Sequence, residues 1–355
     1  MEMEPLNTLL KREGDACESG NKFDGRLGLR ISSIFVILVG STFGALFPVF
    51  ARRFGGQGGI PGWTFFIAKY FGSGVIIATA FIHLLAPAEE ALTNECLTGP
   101  ITEYSWVEGI ILMTIIVLFF VELMVMRFSR FGAGHVHDEE GHSHTQLENA
   151  TPVDDEVQQS KNYMPGEDHL GHSREHHDAD DDAEKNTRAI EDYMAQLTSI
   201  FILEFGIIFH SVFIGLTLAV SGAEFTTLYI VLVFHQTFEG LGLGSRLALI
   251  PWPRSKRHTP YILGLAFGIS TPIAIAIGLG VRQSYPPEGR TTLIVNGVFD
   301  SISAGILIYT ALVELMAHEF MFSHSMRKAP IRDVLAAFIL LCLGAALMAL
   351  LGKWA

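Results

Sequence analysis

The sequence predicts an all-α membrane protein: an eight-transmembrane-helix bundle with a disordered cytoplasmic His-rich loop. Three observations carry this. Of the 355 residues, 49% are hydrophobic, and mean hydropathy is positive at +0.36, which places the chain among membrane proteins. Eight apolar stretches each reach the ~20 residues needed to cross a bilayer as a helix. One long polar segment interrupts them between the third and the fourth.

Taken in order, residues 1–28 are a charged, polar tail, expected to be extracellular, with no short apolar run of the kind a cleaved signal peptide carries. Spans one to three are expected at roughly 29–50, 64–86 and 106–126, forming a first membrane unit over 29–126. Residues 127–194 form the loop. Spans four to eight, at roughly 196–220, 225–247, 259–281, 291–317 and 331–352, fill 195–355. Basic residues set the expected orientation. The odd-numbered loops hold Arg52 and Arg53; Arg127, Arg130, Lys161, Arg174, Lys185 and Arg188; Arg246, Arg254, Lys256 and Arg257; Arg327, Lys328 and Arg332. The even-numbered loops hold only Arg282 and Arg290. Positive charge stays inside, so both termini are expected outside. The basic residues of the N-terminal tail oppose this and are outweighed by three short-loop contrasts. Cys17 and Cys96 then share the outer side, where they either pair as a disulfide or remain free thiols.

The net charge of −13 belongs mostly to residues 127–192, which hold 17 Asp and Glu against 6 Lys and Arg. The acidity is therefore that of a loop and says little about a partner of the whole chain; no nucleic-acid partner is expected. The loop is too polar to bury a core and is expected to be disordered. It holds His135, His137, His142, His144, His169, His172, His176 and His177. Imidazoles so closely spaced can share a zinc ion without a preformed fold, which suggests metal sensing or buffering.

The chemistry is expected inside the membrane. His210 in span four, and His235 and Glu239 in span five, are ionisable groups where hydrocarbon makes them costly. His235 and Glu239 are four apart and share a helix face. At ~1.5 Å per residue, His210 lies about 21 Å in from one face and His235 about 15 Å in from the other. Both depths fall near the middle of a core of ~30 Å. The short loop Ser221–Glu224 makes the two helices antiparallel neighbours, so the three side chains can converge. Gly206, Gly215, Gly240, Gly242 and Gly244 would permit close helix approach. Imidazole with carboxylate at mid-depth suggests a divalent metal ion.

Further polar groups suggest a route. In span seven Asn296, Asp300, Glu314 and His318 fall within about 40° of one another at 100° per residue, forming a stripe toward the cytoplasmic mouth. His83, followed by Glu89 and Glu90, is expected at the outer entrance. Lys69 is expected to pair with Glu122, or alternatively Glu204, as a structural ion pair. Pro272 should break span six. Spans one and eight carry few polar anchors and are expected to face lipid.

With these residues in hand, the chain resembles the ZIP (Zrt/Irt-like) family of divalent metal importers, in particular its fungal zinc-uptake members. The resemblance runs from about residue 29 to the C-terminus and rests on Leu203–Gly215, Phe234–Gly242 and Gly297–Ser303. It implies an eight-helix bundle moving Zn²⁺ into the cytoplasm, with His210, His235 and Glu239 as ligands and Ser211 and Gln236 beside them. The chain departs from the family's two-metal pattern: Ile214 stands where some members have glutamate, Ser211 where they have asparagine, and Gln236 where they have aspartate. One metal is therefore expected. Two imidazoles and a carboxylate suit Zn²⁺ better than Mg²⁺ or Ca²⁺. Fe²⁺, Mn²⁺ and Cd²⁺ are further candidate ions. The stretch His83–Glu89 lacks the aspartate of metal-broad relatives, which weighs against iron and manganese.

The expected protein is a plasma-membrane transporter and not an enzyme. Zn²⁺ is its cargo, the chain has no prosthetic group, and its partners are the bilayer and a second copy as a candidate homodimer. A zinc-dependent lipid hydrolase, with His83, His210 and His235 on zinc and Asp300 or Glu239 activating water, is the competing class. No H-E-x-x-H motif supports it. An exporter fits poorly because the chain stops at Gly352–Ala355 with no cytoplasmic metal-binding domain.

Overall fold

A computed structural model describes residues 23–54, 61–133, 181–282, 286–287 and 289–354. Within them the regular structure is helical, without a strand. Eight long helices follow one another: α1 Leu27–Phe54, α2 Gly62–Leu92, α3 Trp106–Ala133, α4 Asp181–Val220, α5 Phe225–Leu249, α6 Thr259–Val281, α7 beginning as Arg290–Thr310, and α8 Ile331–Leu351. Helices α3 and α4 run past the expected spans into the segment read as loop. The eight loop histidines, from His135 to His177, lie outside the described residues. So does Cys17, whereas Cys96 is disulfide-bonded and Cys342 is free.

Seven of these helices are long and apolar enough to cross a membrane by length and composition. The eighth, α5, has 25 residues and is long enough, but it carries His235, Gln236, Glu239 and Arg246. It is also among the most enclosed. It packs along α1 and α2 and touches α6, and its polar residues His235, Gln236 and Glu239 are buried. A polar helix survives here because neighbouring helices, not lipid, surround it.

Glycine sets how closely these helices pack. A Cβ on Gly44 or Gly244 would run into the backbone of Thr237 or Ala45, which brings α1 onto α5. A Cβ on Gly74 or Gly344 would run into the backbone of Leu341 or Phe71, which brings α2 onto α8. Gly215 and Gly278 seat α4 against α6 in the same way. Helix α1 keeps an exposed apolar face, with Phe35, Val39 and Phe43, as expected of a lipid-facing span, but its opposite face enters the bundle. Its Ser33, Ile37, Ser41, Gly44, Ala45 and Pro48 are buried in the bundle. Helix α8 does present Leu335, Phe338, Ile339 and Leu343 outward, and α3 is the least enclosed of the seven.

Two other expectations change. Pro272 does not break α6, which runs unbroken from Thr259 to Val281. Proline removes the N–H that would have bonded the carbonyl four residues earlier, at Gly268. That carbonyl instead accepts a hydrogen bond from Ser41 Oγ of α1 at 3.0 Å. Lys69 pairs with neither Glu122 nor Glu204; it is bridged to Glu319. Glu122 accepts from the Tyr309 hydroxyl. Neither carboxylate oxygen of Glu204 has a partner among the described residues. Depth alone does not say which face of a neighbouring helix is nearest to Lys69.

Two helices widen locally into π turns, at Thr79–Leu85 in α2 and at Ala311–Phe322 following α7. Such turns recur at functional sites. At the end of the bundle where α1 begins, called here the near end, Arg30 is fully buried. Its guanidinium donates to Leu218 O at 3.1 Å and Ala219 O at 2.9 Å and lies over the ring of Phe225. It thus satisfies carbonyls left open at the C-terminus of α4 and ties α1 to the α4–α5 hairpin. Asp24 pairs with both Arg26 and Arg30 at this clamp.

Candidate metal site

His210 of α4 and His235 of α5 come together inside the bundle, their ring centroids 5.7 Å apart. Zinc sits about 2.0–2.1 Å from an imidazole nitrogen, so two rings on one tetrahedral ion have centroids roughly 5 Å apart. The observed separation needs only a small closure. Glu239 lies one turn further along α5, its Oε2 3.6 Å from His235 Nε2. Gln236 Nε2 donates weakly to Ser211 Oγ at 3.4 Å, which links α4 to α5 beside the imidazoles. The backbones of α4 and α5 themselves make few close contacts. The two helices are antiparallel, but their polar side chains meet across a gap.

That gap admits two more helices. From α2, His83 stacks edge-on against His235 at 4.6 Å between centroids. Its Nε2 lies 3.0 Å from the Met348 carbonyl of α8. A carbonyl can only accept, so Nε2 carries the proton and Nδ1 of the neutral ring is left as an acceptor. From α7, Asp300 Oδ1 lies 3.7 Å from His210 Nδ1. His83 therefore belongs to the central group and is not an outer-entrance residue as expected. It lies within the π turn of α2, and Met348 holds the ring inward. Distance along the sequence shows neither effect.

A cavity of about 260 Å³ leads to this group. His83, His210, His235, Asn296 and Asp300 line it together with Phe213, Ile214 and Thr217. It reaches the surface at Pro87 and Glu90, both exposed, at the near end. The stripe expected along α7 divides. Asn296 and Asp300 line the cavity; Glu314 and His318 lie beyond it in the π turn, paired with each other at 3.9 Å. A π turn advances less than 100° per residue, so the periodicity that aligned the four residues does not hold past Thr310.

Among the described residues, 14 buried side-chain polar atoms lack a hydrogen-bond partner, and seven of them belong to this group. They are both ring nitrogens of His210, His235 Nε2, Gln236 Oε1, both Glu239 oxygens and Asp300 Oδ1. Buried polar atoms are normally satisfied, so a concentration of acceptors at one place fits a cation. Among the described residues no three His, Cys, Asp or Glu groups are already arranged to hold a metal ion. The group is a loose ring of donors, which suits an ion that must leave again better than a closed tetrahedral cage.

The sequence model of the family described as ZIP zinc transporter matches residues 27–352. The zinc-regulated transporter 2 of Saccharomyces cerevisiae is 44% identical, over 96% of this chain and 97% of that protein. The zinc-regulated transporter 1 of the same yeast is 43% identical, over 95% and 90%. The zinc transporter 3 of Arabidopsis thaliana is 34% identical, over 96% and 91%.

Proposed function

Since the chain belongs to the ZIP family of zinc transporters, we propose that it imports Zn²⁺ into the cytoplasm through the His210, His235 and Glu239 group. The supporting observation is the seven unpartnered acceptor and imidazole atoms gathered at the inner end of one cavity. Import follows from two things together. The cavity opens at the near end, and the distribution of Arg and Lys favours an outside position for that end. Both termini then face outward, and the plasma membrane is the fitting location.

An incoming ion would pass Glu90 and Asn296 and exchange waters for imidazole in turn. His83, with Nδ1 free, and His235 present one edge of the ring; His210 and Asp300 present the other. Glu239, one turn deeper, supplies a carboxylate on the far side of the imidazoles and draws the ion inward. Gln236 and Ser211 fix the helix pair around it. Mixed imidazole and carboxylate donors favour zinc over magnesium or calcium. Glu314 and His318 would serve as a last polar pair before the cytoplasm.

The test is uptake of radioactive zinc by His210→Ala, His235→Ala and Glu239→Ala variants, with surface level measured in parallel. Each should lose nearly all uptake at a normal surface level. Variants that are present at the surface and carry zinc at the native rate would remove the ligand assignment. Competition by unlabelled iron, manganese, copper and cadmium decides whether the cargo is zinc alone or a broader set of divalent ions.

A further inference from the structure

Helix α5 carries a second charged group on the same face as the metal site. His235, Glu239, Gly242 and Arg246 fall within about 60° at 100° per residue. Arg246 lies about 10 Å beyond Glu239, toward the far end of the bundle. Its guanidinium donates to Glu319 Oε1 at 2.9 Å and to Ser73 Oγ at 3.1 Å. The other oxygen of Glu319 is bridged to Lys69. All three charged side chains are largely enclosed, Lys69 being 16%, Glu319 15% and Arg246 12% exposed. One carboxylate thus joins α2, α5 and the π turn after α7 at the end of the bundle away from the cavity mouth.

Between this knot and the metal site, α2 and α5 cross with no side chain interposed. A Cβ on Gly72 would stand 2.5 Å from Gly242 Cα, and one on Gly242 would stand 2.8 Å from Gly72 O. The other glycine contacts that meet backbone fall mainly into two sets. Helix α1 is locked to α5 and α6, and α4 to α6; α2 is locked to α8, and α7 to α2 and α3, while Gly206 of α4 meets only the side chains of Ile306 and Leu307 of α7 across the two sets. The smooth Gly72–Gly242 crossing and the charged knot both lie on the boundary between these sets. A smooth crossing lets one helix turn on the other, and an ion pair beyond it fixes the angle.

We propose that Arg246 and Glu319, with Lys69 and Ser73, form an ionic latch. Closed, it holds α5 against α2 and α7 so that the site faces the cavity mouth at Glu90. Open, it frees the far ends of these helices to part and expose the site on the other side. Arg246 is in this sense a positioning residue, acting on the site through the helix that carries both.

The test reads which side of the membrane reaches the cavity, and it needs no zinc, so it is independent of which residues hold the ion. Thr217→Cys, in a Cys342→Ala background, places a thiol in the cavity wall. An impermeant thiol reagent is applied from each side of vesicles, and labelling at that position is read by peptide mass. Arg246→Gln and Glu319→Gln should each slow labelling from the Glu90 side about fivefold and speed it from the opposite side, a shift in the two-state population. The double variant should show no larger effect than Glu319→Gln alone, because that variant already removes the Arg246 pair along with the Lys69 bridge. Arg246→Lys, which keeps a cation opposite Glu319, should label at the native rate and also serves if Glu319→Gln fails to reach the membrane. Native labelling in both single variants, additive effects in the double variant, or Arg246→Lys behaving as Arg246→Gln would each overturn the latch.

Discussion

Replacing Glu239 with methionine should separate what the site costs the fold from what it does. Glu239 is fully buried, and neither of its oxygens has a hydrogen-bond partner. His235 Nε2 at 3.6 Å is beyond hydrogen-bonding range. A buried polar group left unsatisfied costs about 1–3 kcal/mol, and an apolar side chain of similar volume removes that cost. Without zinc, Glu239→Met should therefore be as stable as the native protein, or more stable by about 1–3 kcal/mol. Zinc acts in the opposite sense. Zinc at 100 times its dissociation constant stabilises the native protein by about 2.7 kcal/mol. If loss of the carboxylate weakens binding about 100-fold, the same zinc concentration stabilises the variant by only about 0.4 kcal/mol. Thermal unfolding of the purified protein, with and without zinc, measures both quantities, and vesicle uptake gives the matching loss of transport. A variant that melts well below the native protein without zinc would show that Glu239 has a structural partner. A variant that keeps the full zinc-induced shift would show that it is not a ligand. Either result refutes the reasoning.

Gly244→Val should destabilise by about 2–4 kcal/mol or block folding, since even a Cβ there meets the backbone of Ala45; expression level and melting temperature measure it. Arg30→Ala should cost about 3–5 kcal/mol by orphaning the carbonyl of Ala219, leaving that of Leu218 to Ser221 Oγ alone, and removing a buried cation over Phe225. Arg30→Lys should fail to rescue, because an ammonium cannot reproduce the planar fork. Transport should fall as pH drops from 7 to 5, because zinc binding requires unprotonated imidazole. The near-end clamp does not contribute to that fall. Asp24 is held below its ordinary value of 3.8, first by the hydrogen bond from Arg26 and then by Arg30. A carboxyl depressed in the folded state gives its stabilisation above that ordinary value and loses it only as pH falls further, through the folded value. Asp24→Asn should therefore leave the shape of the pH–uptake curve unchanged between 5 and 7.

Sequence reading and structure agree where one-dimensional periodicity is enough. Apolar length locates the spans because every backbone group in hydrocarbon must bond within its own helix. His210, His235 and Glu239 stand out because an ionisable group in such a stretch is costly, and their depths follow from rise per residue. The short Ser221–Glu224 connection then brings the two helices together at their joined ends. These inferences need no knowledge of neighbouring helices.

What the tertiary structure decided is which faces meet. His83 joins the central group because of the π turn that contains it and the Met348 carbonyl of α8, 265 residues away. Lys69 finds Glu319, 250 residues away, and not Glu122 or Glu204. Pro272 stays within a continuous helix because Ser41 of α1 takes up the carbonyl it orphans. Helix α1, apolar on all sides to a sequence reading, turns one face into the bundle because Gly44, Ala45 and Gly244 let backbones touch, and leaves Phe35, Val39 and Phe43 exposed on the other. Hydropathy measures affinity for an apolar surrounding and cannot distinguish lipid from another helix. That distinction rests on side-chain size and helix rotation, which only the packed bundle fixes.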